Sequence, residues 1–144
     1  KQDQGFVPLW VAKHLFKKKL SYIGFGGKGH QVRDILHIND VSEIILIQIK
    51  KIKKIHNKIF NIGGGINNSI SLKDLTMKCE KLTGNKIKLK SVSKTSIFDI
   101  PYYVSDNSKV KKSYNWKPSR NIDKILGDIY HWLSKNKTIK NYFL

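Results

Sequence analysis

The stretch GKGHQVRDILHINDV, residues 27–41, decides how the rest of the chain is read. Its glycines make a flexible loop, the VRDILHI that follows reads as a strand, and Asn39 stands where a helix N-cap belongs. Behind it runs NDVSEIILIQIKKIKKI, with apolar residues at 41, 44, 45, 49 and 52, the spacing of a helix. A strand feeding straight into a helix is the unit from which α/β proteins are built.

The same alternation continues on both sides. Upstream, GFVPLWVAKHLFKKK (5–19) has helical spacing and a lysine-rich end, and LSYIG (20–24) alternates as a strand. Downstream, KIFNIGGG (58–65) is short and nearly all apolar, as suits a strand buried on both faces that runs into a glycine turn. SLKDLTMKCEKLTG (71–84) is the plainest helix. Ser71 and Asp74 form a capping box, Leu72, Leu75, Cys79 and Leu82 make one stripe, and Gly84 stops it. KIKLKSV (86–92) alternates as a half-exposed strand, and Asp106 caps a segment that Pro118 breaks. NIDKILGDIYHWLSKN (121–136) is a last amphipathic helix, with Ile122, Ile125, Leu126, Ile129 and Leu133 inward. The reading is α/β with about four strands, few for a complete doubly wound domain.

Composition narrows the function. The chain has 144 residues, with 28 Lys or Arg against 10 Asp or Glu, a formal charge of +18. Such a charge invites nucleic acid as a partner. Only Arg33 and Arg120 are arginines, however, and the lysines are scattered with no arginine–aromatic clustering. Lys, Ile and Asn share A/T-rich codons, so a biased genome accounts for the charge, and no nucleic-acid partner is expected. The longest apolar run, IILIQI, is far too short to span a bilayer, and the apolar residues around it cover too much of the helix for a membrane-surface segment. No membrane partner is expected. One cysteine, no disulfide and no signal-like stretch fit a cytoplasmic protein. The five histidines show no metal-ligand spacing, and no metal is expected. The glycines at 63–65 lack the Lys-Ser/Thr and the spacing of a phosphate loop, so a tight turn is expected there.

Arg33 stands out in a chain that uses lysine almost everywhere. A guanidinium is a rigid donor fork that matches phosphate or carboxylate, which an ammonium is not. Asp34 is the obvious structural partner, but adjacent residues on a strand point to opposite faces. That leaves Arg33 available to a ligand.

The segment GKGHQVRDILHINDV resembles the glycine-rich, Gln-x-Arg-Asp segment of extended short-chain dehydrogenase/reductases that act on nucleotide sugars, the NAD-dependent epimerase/dehydratase family. FNIGGGINNSISLKDL and DIPYYVSDNSKVKKSYNWKP resemble the strand-loop-helix and the C-terminal stretch that follow in that family. DQGFV (3–7), QVRDILH and NNSISL are nearest to members that epimerise a CDP-linked sugar at C2 through a keto intermediate. The resemblance implies the C-terminal part of an extended short-chain dehydrogenase: last Rossmann elements plus the small substrate-binding α/β domain, occupying residues 1–144. It implies that the N-terminal NAD-binding portion is absent. No Tyr-x-x-x-Lys and no G-x-x-G-x-x-G occurs in the chain, so neither catalytic nor cofactor-binding residues are assigned to it, and the chain alone is expected to be inactive. NAD would be held by the missing portion, and any homodimer would belong to the longer parent.

What remains, by resemblance, is the nucleotide-sugar side. Ser21 and Ile23 would lie along the base, Phe6 would close the pocket, and Arg33 would grip the diphosphate. Ile70 would pack on the base, while Asp99 and Tyr103 would contact ribose or phosphate. The family usually has a second phosphate arginine three residues before that Asp, where this chain has Ser96, with Lys94 nearby. Another dehydratase or 4-epimerase of the family, a catalytically silent binding module, and a basic nucleic-acid-binding domain are the alternatives.

Overall fold

The computed structural model describes residues 5–136 and residue 138. Helix α1 (Phe6–Leu15) leads into strand β1 (Leu20–Ile23); β2 (Val32–Asp34) leads into helix α2 (Ile38–Lys51). After a long irregular connection come β3 (Ser69–Ser71), α3 (Leu72–Thr83), β4 (Leu89–Val92), β5 (Tyr102–Tyr103), α4 (Ser108–Tyr114) and α5 (Ile122–Lys135). The strands form two small sheets. β1 pairs in parallel with β4, and β2 is central in a second sheet, antiparallel to β3 and parallel to β5.

Two hydrophobic clusters hold these elements. The larger joins α1, α3 and α5 through Val11, Ala12, Leu75, Cys79 and Leu133, all fully buried, with Leu20 of β1 and Ile35 behind β2. The smaller packs Ile44 of α2 on Val110, Tyr114 and Trp116, with Phe60 edge-on to Tyr114 at 5.1 Å between ring centres. Helix α3 follows its sequence signals closely. The Ser71 hydroxyl accepts from the Asp74 amide at 3.0 Å, and Gly84 takes the left-handed C-cap conformation at φ 69°. Cys79 is core, and burial pushes its thiol up to about 12.

Four expectations are corrected. The N-cap of α2 is His37, not Asn39: the imidazole Nδ1 accepts from the Asn39 amide at 3.0 Å. The first helix ends at Leu15, because Lys17 turns to φ 54°, and the lysines beyond lie outside it. Strand β2 stops at Asp34, and beyond it only the Ile35 amide still bonds across, to the Asn68 carbonyl at 2.9 Å. Residues 58–62 are not a strand, because no strand among the described residues pairs with them. The Lys109 ammonium donates to the Ile59 carbonyl there instead. Of the apolar positions on α2, only Ile44 is buried, while Ile45, Ile49 and Ile52 are exposed.

Candidate functional site

Strand β2 places Arg33 between two neighbours in register, Ile70 of β3 and Tyr103 of β5. Directly paired residues share a face of a sheet, so these three form one row. Asp34 lies on the other face, where its Oδ2 accepts from the amides of Gly65 (2.9 Å) and Ser105 (3.2 Å). The two adjacent charges therefore do not pair, as strand geometry requires.

Arg33 faces a cavity of about 430 Å³ between the first turns of α1, strand β1 and the start of β2. Five of the expected residues line it: Phe6, Ser21, Ile23, Arg33 and Asp99. The other two do not. Ile70, beside Arg33 in the row, is buried at 5% exposure, and the half-exposed Tyr103 flanks Arg33 from β5. Leu9, Trp10, Lys19, Leu20, Gln31 and Leu72 complete the lining, and of these the resemblance had assigned none. Trp10 and Leu72 read as core residues by helical spacing, and Gln31 reads only as part of the Gln-x-Arg-Asp motif. The Gln31 amide donates to the Ile23 carbonyl and ties β1 to β2 across the cavity, while its Oε1 is buried without a partner. Trp10 is held by its own donor, which reaches the Thr76 hydroxyl at 3.0 Å, and it stacks on Tyr22.

The cavity lining is mainly apolar, and among its charged residues Lys19 and Arg33 outnumber Asp99. Arg33 is not free, contrary to the sequence reading. Its Nη2 donates to Asp99 Oδ1 and to the Ile100 carbonyl, both at 2.7 Å, and its Nη1 donates to the Val32 carbonyl at 2.8 Å. A mainly apolar pocket with basic side chains suits an amphiphilic ligand that carries phosphate. A second, more apolar cavity of about 780 Å³ lies on the other side of Phe6, between α5 and the β2–α2 connection. There His37 Nε2 sits 3.0 Å from Asp128 Oδ2.

The glycine turn at 63–65 is no cradle for a dinucleotide. A side chain at Gly63 would strike Asp34 and Ser105, one at Gly64 would strike the Ile35 carbonyl, and the Gly65 amide is already taken by the Asp34 carboxylate. The Asp34 carboxylate and the Asn107 side-chain oxygen thus occupy the Gly65 and Gly63 amides that a phosphate would need. Among the described residues, no group of three or more His, Cys, Asp or Glu could hold a metal ion, and no helix is long and apolar enough to cross a membrane.

Residues 1–63 match the NAD dependent epimerase/dehydratase family. CDP-paratose 2-epimerase of Salmonella typhi is 30% identical over 92% of this chain and 39% of its own length. UDP-glucose 4-epimerase of Yersinia pestis is 29% identical over 75% of this chain and 31% of its length. The crystal structure of dTDP-glucose 4,6-dehydratase from Bacillus anthracis, in complex with NAD, superposes with a TM-score of 0.78 at 25% identity, covering 97% of this chain and 42% of that one. The chain thus spans roughly a third to two fifths of the length of the relatives it matches.

Proposed function

We propose a specific role for this chain within the family to which it belongs, the NAD dependent epimerase/dehydratase family. Its architecture is that of the C-terminal part of the extended short-chain dehydrogenase fold. Residues 1–144 form the nucleotide-sugar-binding portion of an isomerase that epimerises a CDP-linked sugar at C2. The hydride chemistry depends on NAD held by an N-terminal portion outside this chain; the glycine turn at 63–65 does not fit that cofactor.

The observation that carries the reading is the convergence of Phe6, Ser21, Ile23, Arg33 and Asp99 on one cavity, although they lie far apart in sequence. In this role Ser21 and Ile23 line the base, Phe6 closes over it, and Ile70 supports it from the sheet. Arg33 binds the diphosphate, with Tyr103 beside it. Such a pocket orients a sugar by its nucleotide handle and leaves the reacting carbon projecting toward the cofactor side. The CDP preference rests on the similarity to CDP-paratose 2-epimerase over 92% of the chain. A second reading, a UDP-sugar 4-epimerase portion, is favoured by relatives named UDP-glucose 4-epimerase. The protein is placed in the cytoplasm, with no nucleic-acid or membrane partner; any homodimer would be formed by the longer protein.

Calorimetric titration of CDP, UDP and dTDP into the chain tests this. CDP should bind tightest, and Arg33→Ala should weaken it at least roughly tenfold, since a charge-assisted hydrogen bond contributes about 1.5–3 kcal/mol. Preference for UDP would favour the second reading. No nucleotide binding, or affinity unchanged in Arg33→Ala, would overturn both.

A further inference from the structure

Asp99 has a role beyond that of a ligand contact. The guanidinium of Arg33 has two planar edges that can hold a phosphate with two parallel bonds, Nε with Nη2 and Nη1 with Nη2. Both run through Nη2. Both protons of Nη2 are already committed, one to Asp99 Oδ1 and one to the Ile100 carbonyl, each at 2.7 Å. One proton of Nη1 goes to the Val32 carbonyl. Only Nε–H and one Nη1–H remain, and they lie on different edges. As it stands, Arg33 cannot grip a phosphate bidentately.

The blocking group sits on a segment that can yield. Asp99 closes a turn in which its amide donates to the Ser96 carbonyl at 3.1 Å, and the tip of that turn, Ile97 and Phe98, is 91% and 88% exposed. Asp99 Oδ1 also accepts from the Ile100 amide at 3.0 Å, so carboxylate and carbonyl leave the arginine together if the turn moves. The side chains of the pair are 25% and 35% exposed, which leaves them open to an entering anion.

We propose that Asp99 is a specificity-determining residue: it occupies Arg33 in place of a phosphate, so that only a ligand bringing at least two negative charges displaces it. A nucleoside leaves the pair intact. A diphosphate replaces one carboxylate charge with two and gains the free edge of the arginine. Asp99 thus sets a charge threshold on what the cavity accepts. This rests on the nucleotide reading above for the natural ligand, but the displacement itself concerns phosphate alone.

The test uses inorganic pyrophosphate, CDP and cytidine, with the protein and its Asp99→Asn and Asp99→Ser variants, followed by calorimetry and by NMR of the arginine side chains. Arg33 and Arg120 are the only arginines, and Arg120, bound to Asp40, is an internal reference. Pyrophosphate and CDP should shift the Arg33 signals of the natural chain, while cytidine should not. Both variants should bind pyrophosphate and CDP at least roughly fivefold tighter, with cytidine unchanged, because a competing charge has been removed. Weaker binding of CDP and cytidine together in both variants would make Asp99 a ribose contact and overturn the proposal. Unchanged pyrophosphate affinity would overturn it too. If pyrophosphate behaves as expected and CDP binds no better than pyrophosphate, the threshold stands and the nucleotide reading falls.

Discussion

Arg33 and Asp34 are neighbours in the chain and work on opposite faces of β2. Arg33 reaches Asp99 in the cavity, and Asp34 holds the amides of Gly65 and Ser105 behind the sheet. One residue lines the candidate site and the other ties the sheet to its turns.

That division has separable consequences. Asp34→Ala leaves the Gly65 and Ser105 amides without their acceptor, and hydrogen bonds to a charged group contribute about 1.5–3 kcal/mol each. The variant should lose about 2 kcal/mol or more in a denaturant melt while any folded fraction keeps its nucleotide affinity. Arg33→Ala should weaken nucleotide binding and cost less stability than Asp34→Ala, because its bonds to Asp99, Ile100 and Val32 lie at a partly exposed surface. Equal loss of stability in both would mean that Arg33 is merely structural.

The most deeply buried charge among the described residues gives a pH-dependent expectation. Asp40, in the first turn of α2, is fully buried. Burial alone would raise its pKa, but the Ser119 hydroxyl and amide together with the Arg120 amide and guanidinium hold it below the usual carboxylate range. A depressed folded-state value means that the contribution is fully present above the unfolded value of 3.8 and is lost as pH falls through the lower folded value. Melts between pH 3 and 7 should therefore show an acid-side loss that Asp40→Asn flattens. Asp40→Ala should cost about 3 kcal/mol at neutral pH, since it strands the buried partners of a carboxylate. An Asp40→Asn melt with the acid slope unchanged would assign that slope to other carboxylates.

What the sequence made legible follows the range of the interactions. The helix 72–83 carries its cap, stripe and stop within its own residues, so local reading found all three. The strand expected at 58–65 has the right residues and no partner, and a strand is defined by its partner. β3 and β5, of three and two residues, are too short to show alternation at all. The His37 cap was missed because an imidazole is not a usual capping group. In the site, the motif around Arg33 was visible, but Asp99 as its partner lies 66 residues away and nothing in the spacing joins them. Gln31 and Trp10 were hidden by ambiguity: each looks like packing until the cavity they line is seen.

Helix α2 shows the same contrast between pattern and partner, and it can be tested directly. Ile44 is fully buried, whereas Ile45 and Ile49, turned away from it around the helix, are 47% and 59% exposed. Ile44→Ala should cost about 2–5 kcal/mol by opening a cavity in the smaller core. Ile45→Gln with Ile49→Gln should leave the melt within about 0.5 kcal/mol and reduce aggregation, since isolated apolar stripes drive association. Light scattering at rising concentration separates the two. A large loss of stability in the glutamine pair would show that this stripe is covered in solution.

The last expectation concerns Ser96, where relatives of the family resembled usually carry a second arginine. Ser96 and Asp99 stand at the two ends of one turn, joined by the bond from the Asp99 amide to the Ser96 carbonyl. That bond uses backbone only, so Ser96→Arg keeps the turn and gives up just the weak contact from the Phe98 amide to the Ser96 hydroxyl at 3.3 Å. A guanidinium there can act in two ways, by meeting a phosphate itself or by drawing Asp99 away and releasing Arg33. Either raises affinity for a diphosphate and neither touches a nucleoside. A partly exposed pair contributes up to about 1 kcal/mol, so CDP should tighten by up to about fivefold in Ser96→Arg, with cytidine unchanged. Combining it with Asp99→Asn distinguishes the two routes. If the new arginine meets phosphate, the gains add; if it acts by drawing Asp99 away, the double variant binds CDP no better than Asp99→Asn alone. Weaker CDP binding in Ser96→Arg would mean that the turn is not beside the diphosphate.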